Sequence, residues 1–142
     1  MAHPLEQTIR EAYVAFGLGD LDGYLSTCTP DFTFNVSDKN FLSGKYRGKS
    51  GLFELAGRVM QVAGLSFEET VEDVFANDRR AVVLDSHRFQ RAGEIKQCFT
   101  AHVCTVSDGK LAECWEQPRD QTAFDDAWGP PNVNSIRRSS PA

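Results

Sequence analysis

The spacing of apolar residues predicts two helices at the start of the chain. Apolar side chains recur at three- and four-residue steps from Leu5 to Phe16, as on one face of an amphipathic helix, and Gly17 ends the pattern. Asp20 is a suitable N-cap for a short second helix. The sequence Thr29-Pro30 ends that helix, because a residue before proline avoids the helical conformation.

A third helix is predicted after a loop that carries apolar side chains. Residues 37–47 mix turn-forming residues with Phe41, Leu42 and Tyr46, so this loop is either a lid over a pocket or a loop attached to the core. Ser50 can cap the helix that follows. Its apolar face runs from Leu52 to Ala63.

Most of the remaining chain has the pattern of strands. Residues 31–36 alternate with period two, which places Phe32, Phe34 and Val36 on one face of a first strand. Four further segments are rich in β-branched and aromatic residues and are separated by hairpin signals: 65–76, 80–91, 95–106 and 110–118. A short amphipathic helix over residues 123–128 follows them.

Helices therefore come first and consecutive strands last. This order favours an α+β fold with a largely antiparallel sheet over a parallel α/β sheet. At 142 residues the chain has the length of one domain, which we expect to span residues 1–129, followed by a polar tail over residues 130–142.

Composition narrows the classes of partner. A net charge of −5 and a pI of about 5.1 argue against nucleic acid or an anionic membrane surface as the main partner and favour a neutral or apolar ligand. The first residues lack the pattern of a signal peptide, and the four cysteines form no CxxC, so we expect a cytoplasmic protein without disulfides. Ten phenylalanines indicate either a bulky core or the wall of a cavity.

Four short segments occur together in a recognisable order: residues 13–22 (YVAFGLGDLD), 44–48 (GKYRG), 107–111 (SDGKL) and Trp115. Because these segments occur in that order and at similar spacing, the chain resembles the SnoaL-like branch of the nuclear transport factor two-like superfamily. The resemblance covers roughly residues 5–129. It implies a cone in which a curved sheet wraps around helices and encloses an apolar cavity, and it leaves the chemistry open, because members include cyclases, isomerases, hydrolases and binders.

Two chemistries of this superfamily are disfavoured by the residues. The position of the isomerase base falls on Val36, and the position of its tyrosine falls on Ala12, next to Tyr13. Asp85 and Arg88 have opposite parity on one strand, so they do not form the hydrolase set.

The resemblance to SnoaL-type polyketide cyclases implies an acid/base role for one aspartate near the end of the last strand, and Asp120 is close to that position. A two-residue turn at Asp108-Gly109 would pair His102 with Trp115 on the inner face, where His102 could orient a carbonyl or share a proton with Asp120. His102 could equally be a structural histidine, and Asp120 could equally be the N-cap of the last helix.

We expect further residues to line the cavity and contact a substrate: Tyr13, Phe16, Phe34, Val36, Val59 and Trp115. No metal site or cofactor is expected, since Cys98 and Cys104 are about 20 Å apart along one strand. The acidic run from Glu68 to Asp73 is expected to be a solvated strand edge.

We expect a homodimer formed through the outer face of the sheet, which carries Phe99, Ala101, Val103 and Thr105. Two functions are compatible with these observations. The first is acid/base chemistry of cyclase or isomerase type on a hydrophobic carbonyl compound, with Asp120 and His102 as catalytic residues. The second is a non-catalytic binding module for a small hydrophobic ligand.

Overall fold

A computed structural model describes residues 2–37 and 39–131 of the chain. Helices precede strands, as expected. The elements in chain order are α1 (Pro4–Gly17), α2 (Leu21–Leu25), β1 (Cys28–Val36), β2 (Gly44–Arg47), α3 (Gly48–Ala63), a 3₁₀ turn (Gly64–Ser66), β3 (Glu68–Ala76), β4 (Arg80–Arg91), β5 (Glu94–Ser107), β6 (Lys110–Pro118) and α4 (Gln121–Trp128).

The six strands form one sheet in the order β2-β1-β6-β5-β4-β3. All neighbouring strands are antiparallel except β1 and β6, which are parallel. The buried positions of α1 face the sheet, and α3 and α4 pack against the sheet as well. The α+β fold with a mostly antiparallel sheet wrapped around helices is therefore confirmed.

Several boundaries differ from the sequence prediction, and residues 65 and 66, predicted to begin a strand, belong to the 3₁₀ turn. Strand β1 begins at Cys28, so it passes through Pro30, where the pairing with β6 is irregular and no regular ladder is interrupted. Strand β2 lies within the predicted loop and exists because it pairs with β1. Helix α3 begins at Gly48, and Arg47 precedes it without a capping side chain, so the predicted cap at Ser50 is wrong.

Two of the predicted hairpins have two-residue turns. The backbone angle φ is positive at Ala92 and Gly93, and again at Asp108 and Gly109. Turns with two positive φ values match the right-handed twist of the flanking strands, which is why these dipeptides are strong hairpin signals.

The loop before α3 is attached to the core. Leu42 is buried, and the Tyr46 hydroxyl donates a hydrogen bond to the Leu42 carbonyl at 2.6 Å. The Arg58 guanidinium donates to the Tyr46 hydroxyl at 3.2 Å, and the Asn40 side chain donates to Asp125 at 2.8 Å. Of the two expectations for this loop, these contacts favour the attached one.

The predicted tail lies mostly outside the described residues, which end at Pro131. The four cysteines are buried free thiols. Among the described helices, none combines the length and the apolar character that crossing a membrane would require.

Candidate active site

Five ionisable side chains meet on the inner face of the sheet. They come from four neighbouring strands: Glu69 from β3, Asp85 and His87 from β4, His102 from β5 and Glu116 from β6. None of these side chains is more than 6% exposed. A buried group of this kind is stable only if its members compensate one another's charge.

His102 lies at the centre of one set of contacts. Its Nε2 atom is 2.5 Å from Glu116 Oε2, an ion pair whose atoms are not aligned as in a hydrogen bond. The Thr100 hydroxyl donates to the same carboxylate oxygen at 2.6 Å. On the other side of the ring, Nδ1 is hydrogen-bonded to the Tyr13 hydroxyl. Glu116, His102 and Tyr13 thus form a chain of contacts from the sheet to α1, which we call the relay.

His87 forms the second set. Its Nε2 atom is 3.1 Å from Asp85 Oδ2 and 3.3 Å from Glu69 Oε2. Its Nδ1 atom faces Cys98 Sγ at 3.9 Å. Both histidines therefore direct Nε2 towards carboxylates and Nδ1 towards a neutral partner.

These contacts shift the protonation of the cluster. Burial and the negative charge of Asp85 raise the pKa of Glu69 to about 8. Burial would lower the pKa of His102, but the neighbouring carboxyl groups, Glu116 first and then Asp85 and Glu69, together outweigh it and raise this pKa to about 9. The same balance raises the pKa of His87 and lowers the pKa values of Asp85 and Glu116, where the histidines outweigh burial. At neutral pH two imidazolium ions thus face two carboxylates, and Glu69 is neutral.

A β-bulge determines which side chains of β6 face inwards. The ladder between β5 and β6 shifts register between Thr105 and Val106, where Ala112 of β6 has no partner. One extra residue exchanges the two faces of a strand beyond the bulge. As a result Glu116, and not the expected tryptophan, is paired with His102.

The predicted pairing of His102 with Trp115 is therefore wrong, and Trp115 points away from the inner face. Val36 is buried but does not line the cavity. Asp120 is exposed, and its carboxylate accepts a hydrogen bond from the Ala123 amide at 3.0 Å as the N-cap of α4. The structure does not bring Asp120 into the cavity with His102.

A cavity lies between the helices and the cluster, and Glu69, His87, His102 and Glu116 form its polar part. The other predicted positions at its wall are Tyr13, Phe16, Phe34 and Val59. Its volume is about 40 Å³, compared with the roughly 10–15 Å³ that one water molecule needs. This space admits a carbonyl group or another short head, but not a ring system.

Of the five ionisable side chains at this site, the sequence predicted only His102 as a site residue, and it missed His87 and all three carboxylates. Glu69 was expected on a solvated edge, but it is paired with His87 across β3 and β4 and is buried. Nothing in the sequence indicated that Glu116 faces inwards, because the direction of its side chain depends on the bulge. One signal was available: Asp85 and His87 are two residues apart on a strand and therefore share a face.

One set of the described side chains has donors close enough to hold a metal ion. The ligand atoms of Asp85, His87 and His102 lie within 4.8 Å of one another. Imidazole and carboxylate suit zinc or iron. In the structure each imidazole Nε2 already faces a carboxylate. The expectation of no metal considered sets of cysteines and histidines and did not include this one.

The shifted pKa values predict that stability falls between pH 6.5 and pH 9. His102 has an ordinary pKa of 6.5 and a pKa of about 9 in the fold, so its contribution is complete below pH 6.5 and is lost as the pH rises through 9. Glu69, raised from 4.5 to about 8, also takes up a proton on folding and acts in the same direction. Urea unfolding should lose about 2 kcal/mol or more over this range. A constant or rising stability would contradict the assigned protonation states.

Comparison with known proteins places the chain in a family. The SnoaL-like domain family matches residues 9–114, so the chain belongs to it. An uncharacterised protein of Mycobacterium tuberculosis (strain ATCC 25618 / H37Rv) is 28% identical over 121 residues, which is 84% of this chain and 92% of that protein.

Two solved structures show the same fold. Bal32a, from a soil-derived mobile gene cassette, is 21% identical with a TM-score of 0.79, covering 87% of this chain and 95% of Bal32a. TerC, co-crystallized with polyporic acid, is 24% identical with a TM-score of 0.77, covering 88% of this chain and 98% of TerC. At this identity the similarity concerns the fold and not the chemistry.

Proposed function

We propose that this protein catalyses proton transfer on a hydrophobic carbonyl compound without a cofactor, as a cyclase or isomerase does. The observation that carries the proposal is the relay of Glu116, His102 and Tyr13, which ends at the wall of a largely apolar cavity. Buried acid and base groups whose pKa values lie near neutrality are typical of catalytic sites.

The geometry suggests a role for each group. His102 is an imidazolium at neutral pH, so its Nδ1–H donates to the Tyr13 oxygen and leaves the Tyr13 hydroxyl free to donate to a substrate carbonyl. Burial raises the pKa of Tyr13, which keeps this hydroxyl protonated. Glu69 has a pKa of about 8 and lines the same cavity, so in its ionised form it removes a proton from the carbon beside the carbonyl. The resulting enolate oxygen is stabilised by Tyr13, and Glu69 returns the proton.

A non-catalytic binding module is the second candidate. It is supported by the missing isomerase base, whose position is occupied by Val36, and by a cavity wall that is mainly apolar. A binder would retain its ligand unchanged. It would require the charged cluster for folding but not for turnover.

One experiment separates these functions. The purified protein is incubated in D₂O with aryl alkyl ketones and cyclic 1,3-diketones, and exchange of the α-protons is followed by NMR. Exchange above the buffer rate supports proton transfer. Binding without exchange supports the second candidate. Metal analysis and chelator treatment accompany the assay, and loss of exchange with a chelator would replace the proposed chemistry by a metal-assisted one.

Asp120→Asn tests the catalytic role that the sequence predicted for Asp120. Asparagine caps a helix about as well as aspartate, so we expect a change of stability within about 0.5 kcal/mol. We also expect α-proton exchange at the wild-type rate, because Asp120 is exposed and does not line the cavity. A tenfold loss of exchange with an unchanged melting temperature would restore Asp120 as the catalytic group.

We also propose that the protein forms a homodimer through the outer face of the sheet. Residues of β5 and β6 on that face, including Phe99, Val103 and Trp115, are only partly buried, and Leu84 of β4 is exposed. Sedimentation at several concentrations tests this interface. The cytoplasmic location stays a prediction.

A further inference from the structure

A groove of about 450 Å³ lies outside the inner cavity, between the end of α1 and α3. It is more than ten times larger than the inner cavity by the same measure. Phe16, Val59 and Phe67 line both spaces and so form the wall that they share. The groove therefore adjoins the candidate active site along these three side chains.

The lining of the groove is apolar throughout. All of its residues are apolar or glycine, and no charged side chain contributes. At its edge Leu65 is 97% exposed, and Met60 and Phe53 are about half exposed. Large apolar side chains at this exposure form a patch of the kind that marks a binding surface. Such a surface favours an uncharged apolar occupant.

Gly57 supports this assignment. It lies in the interior of α3, where glycine is among the poorest helix formers. A Cβ atom added there would meet nothing within 4 Å, so packing within the chain does not require glycine. The space that a side chain at this position would fill belongs to the groove.

Besides Glu69 Oε1 and His102 Nε2 of the ionisable cluster, two buried polar atoms at the inner cavity lack a hydrogen-bond partner among the described residues. They are the Tyr24 hydroxyl and the Trp128 Nε1–H, and both residues line the cavity. Buried donors are rarely left unpaired. Together with the Tyr13 hydroxyl of the proposed mechanism, they favour a head that carries more than one oxygen acceptor.

We infer that the substrate has two parts: a compact oxygenated head in the inner cavity, and an uncharged apolar body that lies in the groove between α1 and α3. This inference rests on the proposed function, because the head is the carbonyl group on which Tyr13 and Glu69 act. It assigns the ring or chain of the substrate to the groove, since the inner cavity is too small for it.

The test uses methyl alkyl ketones of increasing chain length as probes, because their methyl ketone end is small enough for the inner cavity. Affinity for the wild-type protein, measured by NMR titration, should rise by about two- to fourfold for each added methylene, as expected for burial of an apolar chain. Gly57→Leu fills the groove from an exposed helix position and should abolish this rise. The shortest ketone should bind to this variant, and exchange its α-protons, as in the wild type.

Gln61→Leu is the matched control, since it adds the same side chain to an exposed position of α3 that does not line the groove. It should retain the full dependence on chain length. If the shortest ketone binds and exchanges but affinity does not rise with length, or rises equally in Gly57→Leu, the groove assignment is overturned and the proposed function stands. If no ketone binds or exchanges in the wild type, both fail. Loss of the dimer in Gly57→Leu but not in Gln61→Leu, measured by sedimentation, would show that a second copy covers the groove and would also overturn the assignment.

Discussion

His102→Gln is expected to lower the rate of α-proton exchange at least a hundredfold. Glutamine fills similar space but cannot carry a positive charge, so the Tyr13 hydroxyl loses the imidazolium that supports it. Acid/base groups in a defined site commonly contribute two to four orders of magnitude to a rate. The measurement is exchange in D₂O at saturating ketone, with ligand affinity determined separately. Unchanged affinity combined with slow exchange would assign His102 to the reaction and not to binding.

A folding defect could obscure this result, because His102→Gln leaves Glu116 without its buried ion-pair partner. Tyr13→Phe avoids the problem, since it keeps the ring and removes only the hydroxyl at the end of the relay. It should fold with a loss of about 1 kcal/mol and reduce exchange tenfold or more. Wild-type exchange in a folded Tyr13→Phe variant would refute the relay.

Glu116→Gln and Glu69→Gln are expected to differ strongly in stability, although both remove a buried carboxyl group from the same cluster. Glu116 is ionised and faces His102 at 2.5 Å. Its replacement leaves the buried imidazolium with only the more distant carboxylate of Asp85, at 3.9 Å, which should cost about 3 kcal/mol at pH 7. Glu69 is neutral at pH 7, because its pKa is raised to about 8. Glutamine is close in shape and charge to a protonated glutamate, and unlike Glu69 it does not have to take up a proton on folding at pH 7. Glu69→Gln should therefore be at least as stable as the wild type, by up to about 3 kcal/mol.

Urea unfolding at pH 7 measures both values, and a second series at pH 9 adds a sharper comparison. Above its pKa, wild-type Glu69 carries a buried charge, whereas the glutamine that replaces it stays neutral, so Glu69→Gln should be more stable than the wild type at pH 9, by at least as much as at pH 7. Equal losses for the two variants at pH 7 would show that the protonation states are wrongly assigned. In the exchange assay Glu69→Gln should be inactive while folded, since it lacks the proposed base.

Much of the fold could be predicted because its signals are local. The helical stripe from Leu5 to Phe16, the cap at Asp20 and the turn at Asp108-Gly109 each depend on residues close together in the chain. Helix ends, turns and amphipathic faces are set by neighbouring residues, which is why the α+β fold and most element boundaries follow from the pattern. Strand β2 was missed because four residues carry little periodicity, and this strand exists through its pairing with β1.

The candidate site depended instead on contacts that are distant in sequence. His102 could be placed on the inner face, but its partner could not, because the extra residue Ala112 reverses the faces of β6 and exchanges Trp115 for Glu116. Glu69 belongs to an acidic run that has the composition of a solvated edge, and only pairing with His87 shows that it is buried.

By itself, then, the sequence determined the fold class, the family resemblance and the expectation of an uncharged ligand, since composition and local periodicity carry this information. The tertiary structure decided which carboxylates meet the histidines, that Asp120 caps a helix outside the cavity, and that the larger space lies in the groove beside α3. These features result from strand register and from the packing of helices on the sheet. Both are fixed by long-range contacts, and a shift of one residue in register exchanges the side chains on the two faces of a strand.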